Sequence, residues 1–420
     1  MIRPARLFLF SLLLFLIAFS LPMPLAAQDD ALPDVVVAAR ADFFPEGVEY
    51  DADGGRFLTG SLTEGTIFAV SDDGMVTPFI EDADLSATVG IHIDKMNNRL
   101  LVANTNNPAA SSETPVASLG IYDLVSGDRL ALVDFVSLLP DVMHFPNDVT
   151  SDSDGNAYVS DSFAGVVYKV DADGNAEIFA QGDLLTAQGF GPNGIEVVND
   201  EFLLLAVTAN ATLIKIPLDD PTNMSEVALP EALGGDGLLL HPNGDLLMVA
   251  PSPDGNELIA LRSDDNWESA TIVDRQPAPG ATTAALRGDA VYAVNAHLGE
   301  LFGDGASVAA FEINRIDLAL DAAAASAGDA ANGQSLFVTN CSVCHNADSE
   351  ATLVGPGLLG ISERAATRVE GLSAEAYIRQ SILEPGAFVV EGFPPAMPAT
   401  FGAMFTDEQI DDLVAYLKSL

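Results

Sequence analysis

The residues with the most specific chemistry in this 420-residue chain run from Cys341 through Ser342, Val343 and Cys344 to His345, and they include its only two cysteines. Two thiols with two residues between them, followed at once by an imidazole, form the attachment signature of a c-type haem. Thioether bonds from Cys341 and Cys344 would fix one covalently bound haem c, and His345 would supply the proximal iron ligand. Two other chemistries use similar spacing. A redox dithiol belongs between the strand and the helix of a βαβ unit, whereas the residues from Ala331 to Asn340 read as a helix. A zinc site needs two more Cys or His ligands nearby, and His92, His144, His241 and His297 all lie far upstream. The spacing therefore predicts that the last quarter of the chain moves single electrons.

An iron held by one imidazole takes its sixth ligand from the residues around it. Residues 331–420 contain no histidine besides His345 and no lysine besides Lys418, which points to a methionine thioether. Met397 sits between Pro395 and Pro398, where proline stiffens an extended loop enough to hold the sulfur in place. Met404, just before the last helix, is the alternative, and its position reads as core packing. The last helix opens on the capping box Thr406 to Gln409 and carries the apolar stripe Ile410, Leu413, Val414 and Leu417. Gly333 and Phe337 are placed to meet that stripe around Tyr416. With Gly355-Pro356 after the haem histidine, the whole segment resembles the class I c-type cytochromes, a small all-α fold. The resemblance implies that the Pro356 carbonyl accepts the His345 Nδ1 proton and orients the imidazole.

Upstream, one pattern occurs six times. Apolar segments begin at Glu46, Val89, Asn147, Asn193, Asp236 and Thr282, about 43 to 58 residues apart. Each is followed by a turn and a second apolar segment, and a second hairpin follows each copy. The turns at Asp53-Gly54, Asp154-Gly155 and Asn243-Gly244 have hairpin chemistry. Four strands per repeat of this length is the signature of a propeller blade, so residues 32–318 are expected to close into an all-β six-bladed β-propeller. Asp171 to Asn175 has two acidic positions of a calcium loop but lacks the later glutamate, and reads as a turn.

In a propeller the innermost strands line the central channel, so the six opening residues should ring one mouth of it. Glu46, Asn147, Asn193 and Asp236 are oxygen donors of the kind a divalent cation such as calcium or zinc takes. The segments around Pro45-Glu46, Pro146-Asn147-Asp148, Pro192-Asn193-Gly194 and Gly235-Asp236-Gly237 resemble the senescence marker protein, gluconolactonase and regucalcin family, whose members are six-bladed propellers with a metal in the channel. The resemblance implies that Glu46, Asn193 and Asp236 hold the metal and that Asn147 contacts substrate or completes the site. In the hydrolytic members the aspartate is also a general base acting on water, a role it assigns to Asp236.

The amino end carries Arg3 and Arg6, an apolar run from Leu7 to Leu21, and small residues at Ala26-Ala27. This is an export signal over residues 1–27, cut before Gln28, with an uncleaved membrane anchor as the alternative. A periplasmic or other extracytoplasmic location follows, with membrane contact only if the segment is retained. With Lys+Arg at 17 and Asp+Glu at 61, the net charge of −44 disfavours nucleic acid, whose phosphates it would repel, and suits a basic redox partner protein. Residues 319–330 read as a linker between the propeller and the haem segment at 331–420. Two functions are expected to compete: an electron-transfer protein whose propeller binds a substrate or partner, and a metal-dependent hydrolase of a sugar or lactone-like molecule with an accessory cytochrome. A scaffold that docks the cytochrome to a membrane complex is a third.

Overall fold

The computed structural model describes residues 32–108, 114–253, 255–303, 305–320, 330–349, 351–365, 368–369, 374–383, 385–390, 392–398 and 400–420. The export signal at 1–27 and most of the expected linker lie outside the described residues. Among them, strands between Val35 and Ile316 form six four-stranded antiparallel sheets, which are the six blades expected from the repeat. Five blades are built from four consecutive strands. The sixth differs: Ala281–Arg287, Ala290–Asn295 and Phe311–Ile316 are completed by Val35–Ala38 from the start of the chain, pairing Val36 with Ile313. A second hairpin after each copy therefore does not hold for the last one. The reason is closure. A strand borrowed from the far end of the chain joins the last blade to the first and leaves no open seam, at the cost of a long-range pairing that repeat counting cannot show.

The glycines after the opening residues have a different role from turn glycines. Gly47, Gly90, Gly194 and Gly237 lie where the inner strands crowd together, and a Cβ on any of them would collide with the backbone or side chain of the next blade. Neighbouring blades are hydrogen-bonded at these points: Gly47 N donates to Val89 O (3.1 Å), Gly194 N to Asp236 O (3.0 Å) and Gly237 N to Thr282 O (2.9 Å). The ring closes where the hydroxyls of Thr282 and Thr283 both donate to Glu46 O, each at 2.8 Å. Four of the inner strands shift register at the same level, between Thr88 and Ile91, Pro146 and Val149, Pro192 and Ile195, and Ala281 and Ala284. Such bulges release side chains from the ladder and re-aim them. Turn chemistry also differs in one detail: the positive φ of the first hairpin falls on Gly55 rather than Gly54, whereas Gly155 and Gly244 have it as expected. Asp171 accepts from Asn175 N and Asn175 Nδ2, as in a turn.

A short helix α1 (Leu298–Phe302) belongs to the sixth blade. After it come α2 (Ala330–Asn340), α3 (Ile361–Ala365), α4 (Ala374–Leu383), α5 (Phe401–Met404) and α6 (Asp407–Lys418). The capping box of Thr406 and Gln409 forms in both directions. Ile410, Leu413, Val414 and Leu417 are buried with Phe337, Ile361, Tyr377 and Ile378 in one core. Helices α2 and α6 touch where Gly333 meets Asp412 and Tyr416, and Phe337 tilts against Tyr416 at 5.5 Å between ring centres. A Cβ at Gly333 would run into the Asp412 carbonyl. Gly333→Ala should therefore push the two helices apart and destabilise the helical segment by about 2–3 kcal/mol, read as a lower denaturation midpoint in haem absorbance with the β-sheet transition unchanged.

Candidate functional site

The helical segment encloses an apolar cavity of about 270 Å³ whose wall includes Cys341, Cys344, His345, Pro356 and Met397. The attachment motif winds off the end of α2, with Cys344 N and His345 N both donating to Cys341 O at 3.0 Å. His345 Nδ1–H donates to the Pro356 carbonyl at 2.9 Å, which leaves Nε2 as the nitrogen that can meet a metal. Gly355 lies against the imidazole so closely that a Cβ would strike the ring, and its N–H is bonded to Cys344 O at 2.9 Å. Burial, and then the neighbouring Cys344, push the Cys341 thiol up to about 11, the opposite of the lowered value a reactive redox dithiol needs. Met397 lines the cavity from the proline loop. Met404 is 51% exposed on α5 and is absent from that wall, so it is not core packing.

At the propeller mouth the structure links Glu46, Asn193 and Asp236. Asn193 Nδ2 donates to Asp236 Oδ1 and to Thr208 Oγ1, both at 3.0 Å. Its amide nitrogen is thus committed, and its carbonyl oxygen is the atom it can offer a cation. Glu46 is buried, and its Oε2 has no hydrogen-bond partner among the described residues. Burial, with the charges of Asp236 and Asp148, holds Glu46 well above the usual carboxylate range, and burial pushes Asp236 up to about 7 against the pull of Asn193. Asn147 makes the counterpart of the Asn193–Thr208 bond: its Nδ2 donates to Ser162 Oγ at 2.9 Å. Val89 and Thr282 contribute no donor to the mouth, since Thr282 is bonded to the Glu46 carbonyl. Among the described residues no group of three or more His, Cys, Asp or Glu side chains could hold a metal ion. The fit to a divalent cation rests on two carboxylates, one of them with an orphaned oxygen, and one amide oxygen.

A second layer lies deeper in the channel and was not read from the sequence. Glu49, His92, Asp148 and Glu196 line one small cleft. His92 Nδ1 is 3.4 Å from Glu49 Oε1, and its Nε2 is 3.1 Å from Ser151 Oγ. Burial works against a charge on His92, but the bond and charge of Glu49 outweigh it and raise its pKa. Burial raises Asp148 to about 7, although Val149 N–H and Ile195 N–H both donate to it. Burial likewise raises Glu196 to about 8, with His92 pulling the other way. The signal was available: Glu49, His92 and Glu196 each stand three residues after an opening residue, so they repeat in register with the mouth.

A buried carboxyl raised in this way keeps its proton in the folded state and releases it on unfolding. Its contribution to stability is lost as pH rises from its ordinary value of 4.5 through about 8 for Glu196. Glu196→Gln should flatten the fall in propeller stability across that window. The check is the urea midpoint against pH for the two proteins, and an unchanged slope in the variant would count against a protonated Glu196.

The sequence of residues 330–420 matches the family Cytochrome c. Cytochrome c2 of Rhodospirillum rubrum is 33% identical over 116 residues, which is 23% of this chain and 85% of that protein. The fold of the propeller is similar to that of the major allergen Mala s 1 of Malassezia sympodialis, with a TM-score of 0.57 and 21% identity over 68% of this chain and 97% of that one. A regucalcin of Agrobacterium tumefaciens, described as a calcium-binding protein, aligns with a TM-score of 0.47 and 17% identity over 68% of this chain and 94% of its own. The likeness to Mala s 1 concerns fold alone. Through residues 330–420 the chain belongs to the cytochrome c family, which carries a covalently bound haem, and here that segment follows a six-bladed β-propeller.

Proposed function

We propose that the chain is an exported one-haem electron-transfer protein whose propeller binds a small molecule at its channel mouth. The observation that carries this reading is the convergence of both cysteines, His345 and Met397 on one apolar cavity, with His345 already oriented by Pro356. When bound, the haem supplies a one-electron couple. The residues of the chain do the rest. Cys341 and Cys344 would hold the group covalently and His345 and Met397 would bind its iron, while the Pro356 carbonyl holds the imidazole in one tautomer and one orientation. The apolar wall keeps water away from the site, which favours the less charged, reduced state. With 17 basic against 61 acidic residues in the whole chain, the redox partner is expected to present a basic face.

At the mouth, Glu46, Asn193 and Asp236 would hold a divalent cation, calcium or zinc, and the ligand would sit over it, with Asn147 beside the entrance. A second reading, a hydrolase of a sugar lactone or a similar molecule, is favoured by one observation. Burial pushes Asp236 up to about 7, the range that suits a carboxylate acting as a general base. Hydrolysis releases no electrons, so the two readings separate cleanly. The matured protein is mixed with sugars, lactones and alcohols, with and without a chelator, while haem absorbance and product are both followed. Reduction that requires both substrate and cation is the expected result; product formation with a silent haem would favour the hydrolase.

The ligand assignment has its own test. Met397→Ala should open the reduced iron to carbon monoxide and lower the reduction potential, whereas Met404→Ala should change neither. Carbon monoxide binding by the Met404 variant instead would overturn the assignment.

A further inference from the structure

Three phenylalanines stand beside the propeller mouth and touch one another. Phe145 and Phe190 meet edge to face at 5.3 Å between ring centres, Phe163 and Phe190 are tilted at 5.0 Å, and Phe145 and Phe163 at 5.4 Å. Phe163 is 41% exposed and Phe190 40% exposed, a large apolar surface to leave in water. Their backbone is firmly held. The fully buried Asp161 carboxylate accepts from Phe145 N–H at 2.8 Å and from Phe163 N–H at 3.2 Å through the same oxygen. The other oxygen is bonded to His144 Nδ1 at 2.8 Å, and His144 Nε2 reaches the Leu139 carbonyl at 2.9 Å. Ser162 N donates to Phe145 O and Gly191 N to Ser162 O, which ties the third ring, at Phe190, into the same frame.

This frame is continuous with the mouth. Phe145 is two residues before Asn147, and Phe190 is three before Asn193. Ser162, next to Phe163, accepts from Asn147 Nδ2 and donates to the Pro192 carbonyl at 2.6 Å. Loops that served only to close blades could be polar at these positions. A buried carboxylate that fixes the half-buried Phe145 and the exposed Phe163 beside a polar site is instead the arrangement of a stacking surface. The three rings pack directly on one another, so they offer outward faces and edges rather than a cage around a cation.

We propose that Phe145, Phe163 and Phe190 form an aromatic subsite, and that the molecule bound at the mouth carries an aromatic ring joined to an oxygen-bearing end. The ring stacks on Phe163 and Phe190, and the oxygen end reaches Asn193 and Asp236. This rests on the reading of the mouth as a small-molecule site, but not on whether that site oxidises, hydrolyses or only binds.

Binding of 1-tetralone and of cyclohexanone, neutral ketones that differ by one fused benzene ring, is measured by saturation-transfer NMR on the reduced, full-length haem protein. The expected result is that tetralone binds about tenfold more tightly, and that Phe163→Ala combined with Phe190→Ala brings the two within about twofold. Phe190→Leu, which keeps apolar bulk without a ring, should lose most of the same preference. Met96→Ala removes a side chain that is 72% exposed in a hairpin at the far end of an inner strand, and should change nothing. Asp236→Asn should weaken both ketones. If both ketones bind alike and Asp236→Asn weakens both, the aromatic subsite is refuted while the mouth remains a binding site. If neither binds the native protein, the mouth is not such a site and the subsite falls with it.

Discussion

The propeller depends on how closely its six inner strands approach the axis. At the level of the mouth the backbones are near enough to hydrogen-bond from blade to blade, through Gly47, Gly194 and Gly237, and there is no room for a Cβ at those positions. Everything else at the mouth follows from that crowding. Four of the strands bulge at this level, and donors from blades distant in sequence are brought together. Asn193 and Asp236 are 43 residues apart in the chain and 3.0 Å apart in space for this reason. The same crowding removes water, and burial is the first cause of the raised pKa at Glu46, Asp236, Asp148 and Glu196. A strongly acidic chain thus carries a set of carboxyls along its own axis whose affinity for a proton is raised by burial.

The haem segment uses close approach in a similar way, on a smaller scale. Gly333 lets α2 and α6 touch, and Gly355 lets the loop lie flat against the imidazole. In each case the missing side chain fixes the position of a neighbouring group: Tyr416 and Phe337 in the core, and His345 at the cavity. The Pro356 carbonyl then selects which nitrogen faces inward. The apolar cavity that His345 faces is lined by Met397 from the proline loop.

The two halves place their chemistry differently. In the haem segment the reactive groups are nearly contiguous, from Cys341 to Pro356, with only Met397 arriving from a distance. In the propeller no two of the mouth residues are neighbours in sequence, and their positions are set by closure of the ring, including a first strand that pairs with the last. A change far from the mouth that disturbs closure would therefore reach the site, whereas the haem motif is largely local.

What the sequence determined alone is what spacing and repetition encode. Two cysteines and a histidine at fixed intervals name a covalent cofactor chemistry. A capping box and an apolar stripe define the last helix. Six recurrences of one strand pattern give the number of blades and the level at which the mouth lies. Glu49, His92 and Glu196 were equally periodic, but their meaning depends on burial, which periodicity does not report. The tertiary structure alone decided three things. It showed that the glycines serve axial packing rather than turns, because only in three dimensions does a Cβ meet the next blade. It tied Asn147 to Ser162, at the end of the neighbouring strand. It also set three phenylalanines from separate loops in contact, because Asp161 and its hydrogen bonds join segments that the chain keeps apart.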